Sequence, residues 1–156
     1  MSIGDYLDPR AVSLGLQSNS KDEALRELVN LIPELHNRAA EQLSLWQALA
    51  DREKLHTTAV GEGLAFPHAR NAMGNLIKRP VIVVGRHNSG VAWGSADSKP
   101  VQLLFMLAAP SLTEHLHLLG LMSRILRNAK VREELLRATT PEQVIEILKN
   151  GESGMR

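Results

Sequence analysis

Hydrophobic residues recur with two different periods in the first third of the chain. Residues 12–16 alternate apolar with small or polar side chains, which is the pattern of a half-buried strand. Ser20 and Glu23 have the spacing of a capping box, and the apolar repeat that follows predicts a helix over residues 21–36. A second helical repeat of apolar residues predicts a helix that ends near Arg52.

The second half of the chain carries two continuous apolar runs and then three helical patterns. The runs, residues 80–85 and 101–107, have the length of strands and are typical of central strands covered on both faces. Capping boxes at Ser111 and Thr140 each begin a helix, and a shorter helix over residues 131–136 is predicted between them. The predicted apolar face of the helix after Ser111 consists of Leu116, Leu119, Met122, Ile125 and Leu126. Together these elements predict one α/β domain with helices on both sides of the sheet.

Composition narrows the class of protein. The chain has 156 residues, 44% of them hydrophobic, which suits one domain with a sizeable core. Its net charge of +1, without long runs of one sign, argues against nucleic acid as a partner. No apolar run approaches the roughly 20 residues of a membrane span, so direct membrane insertion is not expected. The chain has no cysteine, which excludes a disulfide framework and a thiolate nucleophile and suits a reducing compartment. We therefore expect a soluble, unexported, cytoplasmic protein.

Most of the six histidines are expected to be ordinary surface or core residues. His36 falls at a predicted helix end, and His56 and His87 fall in predicted loops. His115 and His117 are two positions apart on a predicted helix, so they point about 200° away from each other. Metal-binding pairs favour positions i and i+4, and a zinc site is therefore not expected.

The sixth histidine, His68, ends a segment of different character. Residues 57–68, TTAVGEGLAFPH, are predicted to form a bent loop with strand fragments, since Pro67 cannot donate a ladder hydrogen bond. Gly61 and Gly63 permit positive φ, with which successive N–H groups can form a nest for phosphate oxygens. The same glycines would also suit a plain turn. A neutral imidazole is a nitrogen nucleophile near pH 7, because its unperturbed pKa is about 6.5.

The combination of several segments carries a family resemblance. The string GEGLAFPH at 61–68, the Arg-Glu pair at 52–53 and Glu-His-Leu at 114–116 resemble the enzyme IIA domain of the fructose/mannitol class of the bacterial phosphoenolpyruvate-dependent phosphotransferase system. Nitrogen-regulatory IIA proteins belong to the same class. The likeness extends over about residues 6–148, and we predict one such domain over residues 5–150.

The resemblance implies a fold and a set of site residues. The fold would be a mixed sheet flanked by helices on both faces. His68 would be phosphorylated on Nε2, with Arg52 as the nearby arginine and His115 as the second active-site histidine. A guanidinium offers forked donors to phosphate oxygens, and the first turn of a helix favours negative charge, which agrees with these roles. Without the resemblance, Arg52 and His115 would be interpreted as surface residues.

The sequence departs from the family pattern at three points. Ala69 follows the histidine where glycine is usual. Arg70 adds a cation that either donates hydrogen bonds to phosphate, influences the choice of partner or is a solvated loop residue. Residues 97–100 replace an Asp-Gly turn that is common in the family. None of these departures removes a residue on which the predicted chemistry depends.

The predicted function is that of a phosphotransferase acting as a covalent phosphohistidine carrier, without a metal or another cofactor. The phosphoryl donor would be the histidine phosphocarrier protein, and the group would pass to a IIB domain in sugar transport or control the binding of regulated target proteins. The absence of a fused IIB, IIC or phosphocarrier segment mildly favours a free-standing regulator. The alternative is a degenerate, non-phosphorylated interaction module with the same fold.

Overall fold

The computed structural model describes residues 2–155, whose centre is one five-stranded sheet. The strands are β1 (Val12–Ser13), β2 (Ala59–Gly61), β3 (Leu64–Ala65), β4 (Val81–Val91) and β5 (Val101–Ala108). Their order across the sheet is β1-β4-β5-β3-β2. The pairs β1–β4 and β3–β5 are parallel, whereas β4–β5 and β2–β3 are antiparallel. The predicted mixed sheet is thus confirmed.

Five α-helices cover the two faces of this sheet. They are α1 (Lys21–Val29), α2 (Ala39–Leu55), α3 (Leu112–Ile125), α4 (Ala129–Arg137) and α5 (Pro141–Ser153). Alternate residues of the long strands enter two separate cores, because successive side chains point to opposite faces. Phe105 packs with α3, α4 and α5, whereas Leu104 and Met106 pack with α1 and α2. The predicted α/β fold with helices on both faces is confirmed.

The first helix is shorter than predicted. It ends at Val29, and Pro33–Leu35 form a separate 3₁₀ turn, so the prediction of a helix to His36 was wrong. Proline has no N–H to donate, and its ring clashes with the carbonyl four residues earlier, which is that of Val29. The apolar repeat continues through this break because both pieces pack on the same core.

The buried face of α3 and the extent of β4 also differ from the predictions. Leu116 is 56% exposed, while Leu118 and Leu121 are buried in its place. The second difference concerns β4, which continues past the apolar run to Val91 and includes His87, so the predicted loop position of that histidine was wrong. Within residues 2–155, no helix combines the length and hydropathy that a membrane span requires.

Candidate active site

His68 lies at the end of the central strand β5. It forms a single parallel bridge with Leu107, whose N–H donates to the Pro67 carbonyl at 2.9 Å. Pro67 provides an acceptor here and has no N–H to leave unpaired. Ala69 is buried on the inner side, while His68 is half-buried and Arg70 is exposed. The sheet therefore holds the backbone of His68 and leaves its ring at the surface.

A hydrogen bond fixes the tautomer of this ring. Nδ1 of His68 lies 2.8 Å from the Phe66 carbonyl oxygen, which can only accept, so Nδ1 carries the proton. Nε2 then holds a lone pair. Within residues 2–155, Nδ1 of His87 is the only histidine ring nitrogen that is both buried and without a hydrogen-bond partner. Nε2 of His68 also has no partner, so it is not buried and is accessible to solvent. The arrangement presents an accessible, unprotonated nitrogen.

Burial also keeps the ring neutral. Desolvation lowers the pKa of His68 below its ordinary value of 6.5, and the nearby charge of Arg52 lowers it further. The hydrogen bond to Phe66 and the charge of Glu53 act in the opposite direction and are outweighed. A neutral imidazole at physiological pH is the form that can act as a nucleophile.

His115 joins His68 from the first turn of α3. The two ring centroids are 4.9 Å apart and the rings are tilted by 40°. Burial, followed by the proximity of His68, lowers the pKa of His115. His117 instead lies edge-on to Tyr6, with 6.0 Å between the ring centroids. The two histidines of α3 thus have different partners, as their spacing predicts.

Arg52 approaches the pair from the last turn of α2. Its Nη1 donates to the His56 carbonyl, at the end of the same helix, at 2.6 Å. Arg52 and Arg70 line one cleft of about 340 Å³, and Arg70 also lines a smaller cleft beside His115. Within residues 2–155, Arg70 forms no ion pair. The positive charge of both arginines is therefore available next to the histidines.

The two glycines form a tight turn that binds a carboxylate of the protein itself, that of Asp97. Gly61, Glu62 and Gly63 all have positive φ, at 90°, 57° and 74°. The N–H of Glu62 donates to the Asp97 carboxylate at 2.9 Å. The Ser95 hydroxyl and neighbouring backbone N–H groups also bind this carboxylate, and they lower the pKa of Asp97 to about 2. The segment after β4 thus supplies the negative group that the turn binds.

Strand register separates this turn from His68. The Gly63 carbonyl accepts the N–H of Leu103, whereas His68 bridges Leu107. These positions are four residues apart on β5, which corresponds to about 13 Å. This register gives no support to the prediction that Gly61 and Gly63 bind the phosphate of His68, because the glycines shape the β2–β3 turn at the other end of β3, and it stays a prediction.

One buried carboxylate beside the site was missed by sequence reasoning. Glu53 is 7% exposed and accepts hydrogen bonds from the N–H and hydroxyl groups of Thr58 and from the Trp93 indole at 3.1 Å. Lys21 pairs with it at 3.1 Å. The partners are far apart in sequence, and the family resemblance, which includes the Arg-Glu pair at 52–53, assigned Glu53 no role.

Comparison with known sequences places these features in a family. The model of the phosphoenolpyruvate-dependent sugar phosphotransferase system EIIA 2 family matches residues 5–151. A nitrogen regulatory protein of Bradyrhizobium diazoefficiens is 36% identical over 93% of this chain and 92% of that protein. A fructose-specific EIIABC component of Bacillus subtilis is 31% identical over 95% of this chain, which spans only 23% of that longer protein.

Solved structures agree with this placement. Nitrogen regulatory protein IIA-Ntr from Neisseria meningitidis superposes with a TM-score of 0.81 at 30% identity, covering 94% of this chain and 98% of that one. The mannitol IIA enzyme of Escherichia coli, solved in complex with phosphorylated mannitol IIB, gives a TM-score of 0.78 at 26% identity, covering 92% and 97%. The chain belongs to the EIIA 2 family of the phosphoenolpyruvate-dependent sugar phosphotransferase system.

Proposed function

We propose that the chain is a phosphocarrier that accepts a phosphoryl group on Nε2 of His68. The observation that carries this proposal is the hydrogen bond from Nδ1 to the Phe66 carbonyl, which leaves Nε2 unprotonated at the surface. The His115 ring lies 4.9 Å from the His68 ring, and the charge of Arg52 acts on the same ring. Membership of a family of phosphotransfer proteins supports the same chemistry.

The donor in this proposal is the phosphorylated histidine phosphocarrier protein. The lone pair of Nε2 attacks phosphorus, the bond from phosphorus to the donor's ring nitrogen breaks, and that nitrogen keeps the electron pair. The ring of His68 gains positive charge in this step, and the proton stays on Nδ1, which donates it in the hydrogen bond to the Phe66 carbonyl oxygen. Charge on the transferring oxygens is met by Arg52, since such transfer depends mainly on positioning and electrostatics.

Apolar side chains near the site support a direct approach by another protein. Leu112 and Leu116 flank His115 on α3, and Leu55 follows Arg52 on α2. Their exposed fractions are 63%, 56% and 64%, which is high for leucine. A partner with an apolar rim around its own reactive residue would bury them and bring the two residues together.

Two onward roles follow from the relatives. Phosphate passes to a IIB domain, as the mannitol complex suggests, or phosphorylation controls binding to target proteins, as the nitrogen regulatory relatives suggest. Adding fructose-type and mannitol-type IIB domains to the phosphorylated chain separates the two roles. Loss of phosphate to a IIB domain supports transport, whereas retention with a phosphate-dependent change in the proteins captured supports regulation.

The primary test is phosphorylation by the reconstituted system. The chain is incubated with phosphoenolpyruvate, enzyme I and the histidine phosphocarrier protein, and its mass is measured. We expect one added phosphate that is lost in acid, because protonation of the ring nitrogen makes a phosphoramidate bond labile. An unchanged mass, with the donor shown to be charged, would instead support a degenerate interaction module.

A further inference from the structure

Glu53 lies at a junction of four segments of the chain. Lys21 begins α1, Thr58 precedes β2, and Trp93 follows β4, and each contacts the Glu53 carboxylate on α2. The side chain is almost fully enclosed, at 3% exposure, and the ammonium group of Lys21 also lies 5.2 Å from the Trp93 ring centroid. Burying a carboxylate is costly unless it is paired and hydrogen-bonded, as here.

A continuous set of hydrogen bonds leads from this carboxylate to the nucleophile. Glu53 accepts the Thr58 N–H at 3.1 Å, and the Thr58 carbonyl accepts the Phe66 N–H at 3.1 Å. The Phe66 carbonyl accepts Nδ1–H of His68 at 2.8 Å. The backbones of two residues, Thr58 and Phe66, therefore connect the carboxylate to the hydrogen bond that sets the tautomer of His68.

The same carboxylate also fixes the acceptor that orients Arg52. Residues 56–58 leave α2 and return towards the sheet, and Glu53 anchors this segment through Thr58. The Thr57 hydroxyl ties it to the Trp93 carbonyl at 2.9 Å. Since Arg52 donates to the His56 carbonyl within this segment, its guanidinium position depends on the same anchor.

We propose that Glu53 is a positioning residue for phosphotransfer, which holds the His68 tautomer and the Arg52 guanidinium through residues 56–58. This inference rests on the proposed function of His68. Glu53 does not touch the phosphoryl group in this proposal. Its contribution is that the nucleophilic nitrogen and the guanidinium are in place before the donor binds.

The test variant is Glu53→Gln, and the chain offers a matched control. Glu27, on α1, likewise accepts backbone N–H bonds from Gln17 and Ser18 and a hydroxyl bond from Ser18. The carbonyl of Ser18 lies 2.7 Å from Nε2 of His87, so this anchor serves a different histidine. Both substitutions keep one carbonyl oxygen and remove a charge, so both weaken a loop anchor, but only Glu53→Gln disturbs the anchor of residues 56–58.

We expect Glu53→Gln to slow single-turnover phosphorylation at saturating donor by about tenfold, because one misplaced anchor affects both His68 and Arg52. The donor concentration for half-maximal rate should change little, since the exposed leucines remain. Glu27→Gln should retain the wild-type rate. In an Arg52→Ala background, Glu53→Gln should have a smaller effect than in wild type, because part of its effect passes through Arg52.

A readout without phosphate separates failure of this inference from failure of the proposed function. Ring nitrogen NMR of unphosphorylated protein should show Nδ1–H of His68 in wild type and in Glu27→Gln, and a mixture of tautomers in Glu53→Gln. A single Nδ1–H tautomer in Glu53→Gln overturns the inference whether or not wild type accepts phosphate. A wild-type rate in that variant also overturns it and leaves His68 as the site. If Glu53→Gln does not fold, Glu53→Asp keeps the charge and shifts the anchor, and the same two readouts apply.

Discussion

His68 and His87 have similar hydrogen bonds to the backbone but differ in the accessibility of the other ring nitrogen. Each lies beside or within the sheet, and each has one ring nitrogen within hydrogen-bonding distance of a backbone carbonyl, Phe66 at 2.8 Å and Ser18 at 2.7 Å. In His68 the bound nitrogen is Nδ1, so the distal Nε2 is free at the surface. In His87 the bound nitrogen is Nε2, and the free Nδ1 is buried close to its own backbone.

The difference teaches that reactivity depends on which nitrogen remains free and where it points. A buried Nδ1 cannot meet a phosphorus atom on another protein, whatever its protonation. His68 presents the outer nitrogen beside a second histidine and an arginine. The structure therefore explains why one histidine suits group transfer and the other contributes to packing.

The largest effect is expected from removal of the proposed nucleophile. His68→Ala should abolish labelling by the reconstituted system while the fold survives, because the ring is half-buried and makes one side-chain hydrogen bond. Mass measurement and circular dichroism on the same sample check both parts. Full labelling of this variant would move the site to another histidine.

Arg52→Lys tests whether the neighbouring cation acts through geometry as well as charge. Lysine keeps the charge but loses the forked donor pair, so the single-turnover rate should fall about tenfold to thirtyfold, which corresponds to about 1.4 to 2 kcal/mol. Rapid-quench measurement at saturating donor gives this rate. A wild-type rate would indicate that Arg52 serves only to hydrogen-bond the His56 carbonyl at the end of α2.

His115→Ala tests the second member of the histidine pair. The variant should still accept phosphate but transfer or release it slowly, because the His115 ring lies 4.9 Å from that of His68 and, in the proposed function, donates a hydrogen bond to the phosphoryl group. Combined with Arg52→Lys, the loss should be less than additive, since both groups stabilise the same oxygens. His117→Ala is the control, because its ring contacts Tyr6, and it should behave as wild type.

His87→Ala tests whether the buried histidine contributes to stability without affecting phosphorylation. Loss of a buried ring and its bond to Ser18 should lower the free energy of unfolding by about 1 to 3 kcal/mol, with labelling of His68 unchanged. Urea denaturation and the labelling assay measure the two quantities separately. Lost labelling in a folded His87→Ala variant would contradict the separation drawn between the two histidines.

Sequence patterns predicted most of the elements because these depend on local chemistry. The caps at Ser20, Ser111 and Thr140 each accept the N–H of the residue three positions later, as the capping boxes predict. The pairing of His68 with His115 required the family resemblance, since 47 positions of sequence carry no periodic signal linking them. Local reasoning thus describes elements better than it describes which of them meet.

Two features near the site depend on tertiary structure, which local sequence patterns do not supply. Gly61 and Gly63 do have the positive φ that their type permits, but their distance from His68 is set by pairing along β5. Glu53 resembles any helical glutamate until Lys21 and Trp93 enclose it. Neither fact is contained in a short window of sequence, and both follow once the sheet order is known.

The smallest expected effect is a pH dependence of stability that arises from His68 and His115. Burial lowers the pKa of both His68 and His115 below 6.5, the ordinary value that each would regain on unfolding. Between the folded and unfolded pKa values, the unfolded chain binds more protons than the folded chain. The free energy of unfolding therefore has its full value above about pH 6.5 and decreases as the solution is acidified below that value. We expect the free energy of unfolding, measured by urea denaturation between pH 5 and 8, to change less with pH in the double variant His68→Asn, His115→Asn than in wild type. NMR titration of the wild-type rings should place the midpoints of both His68 and His115 below the ordinary value of 6.5. Equal slopes in wild type and the double variant, or midpoints at or above 6.5, would show that the two rings are charged more readily than their burial requires.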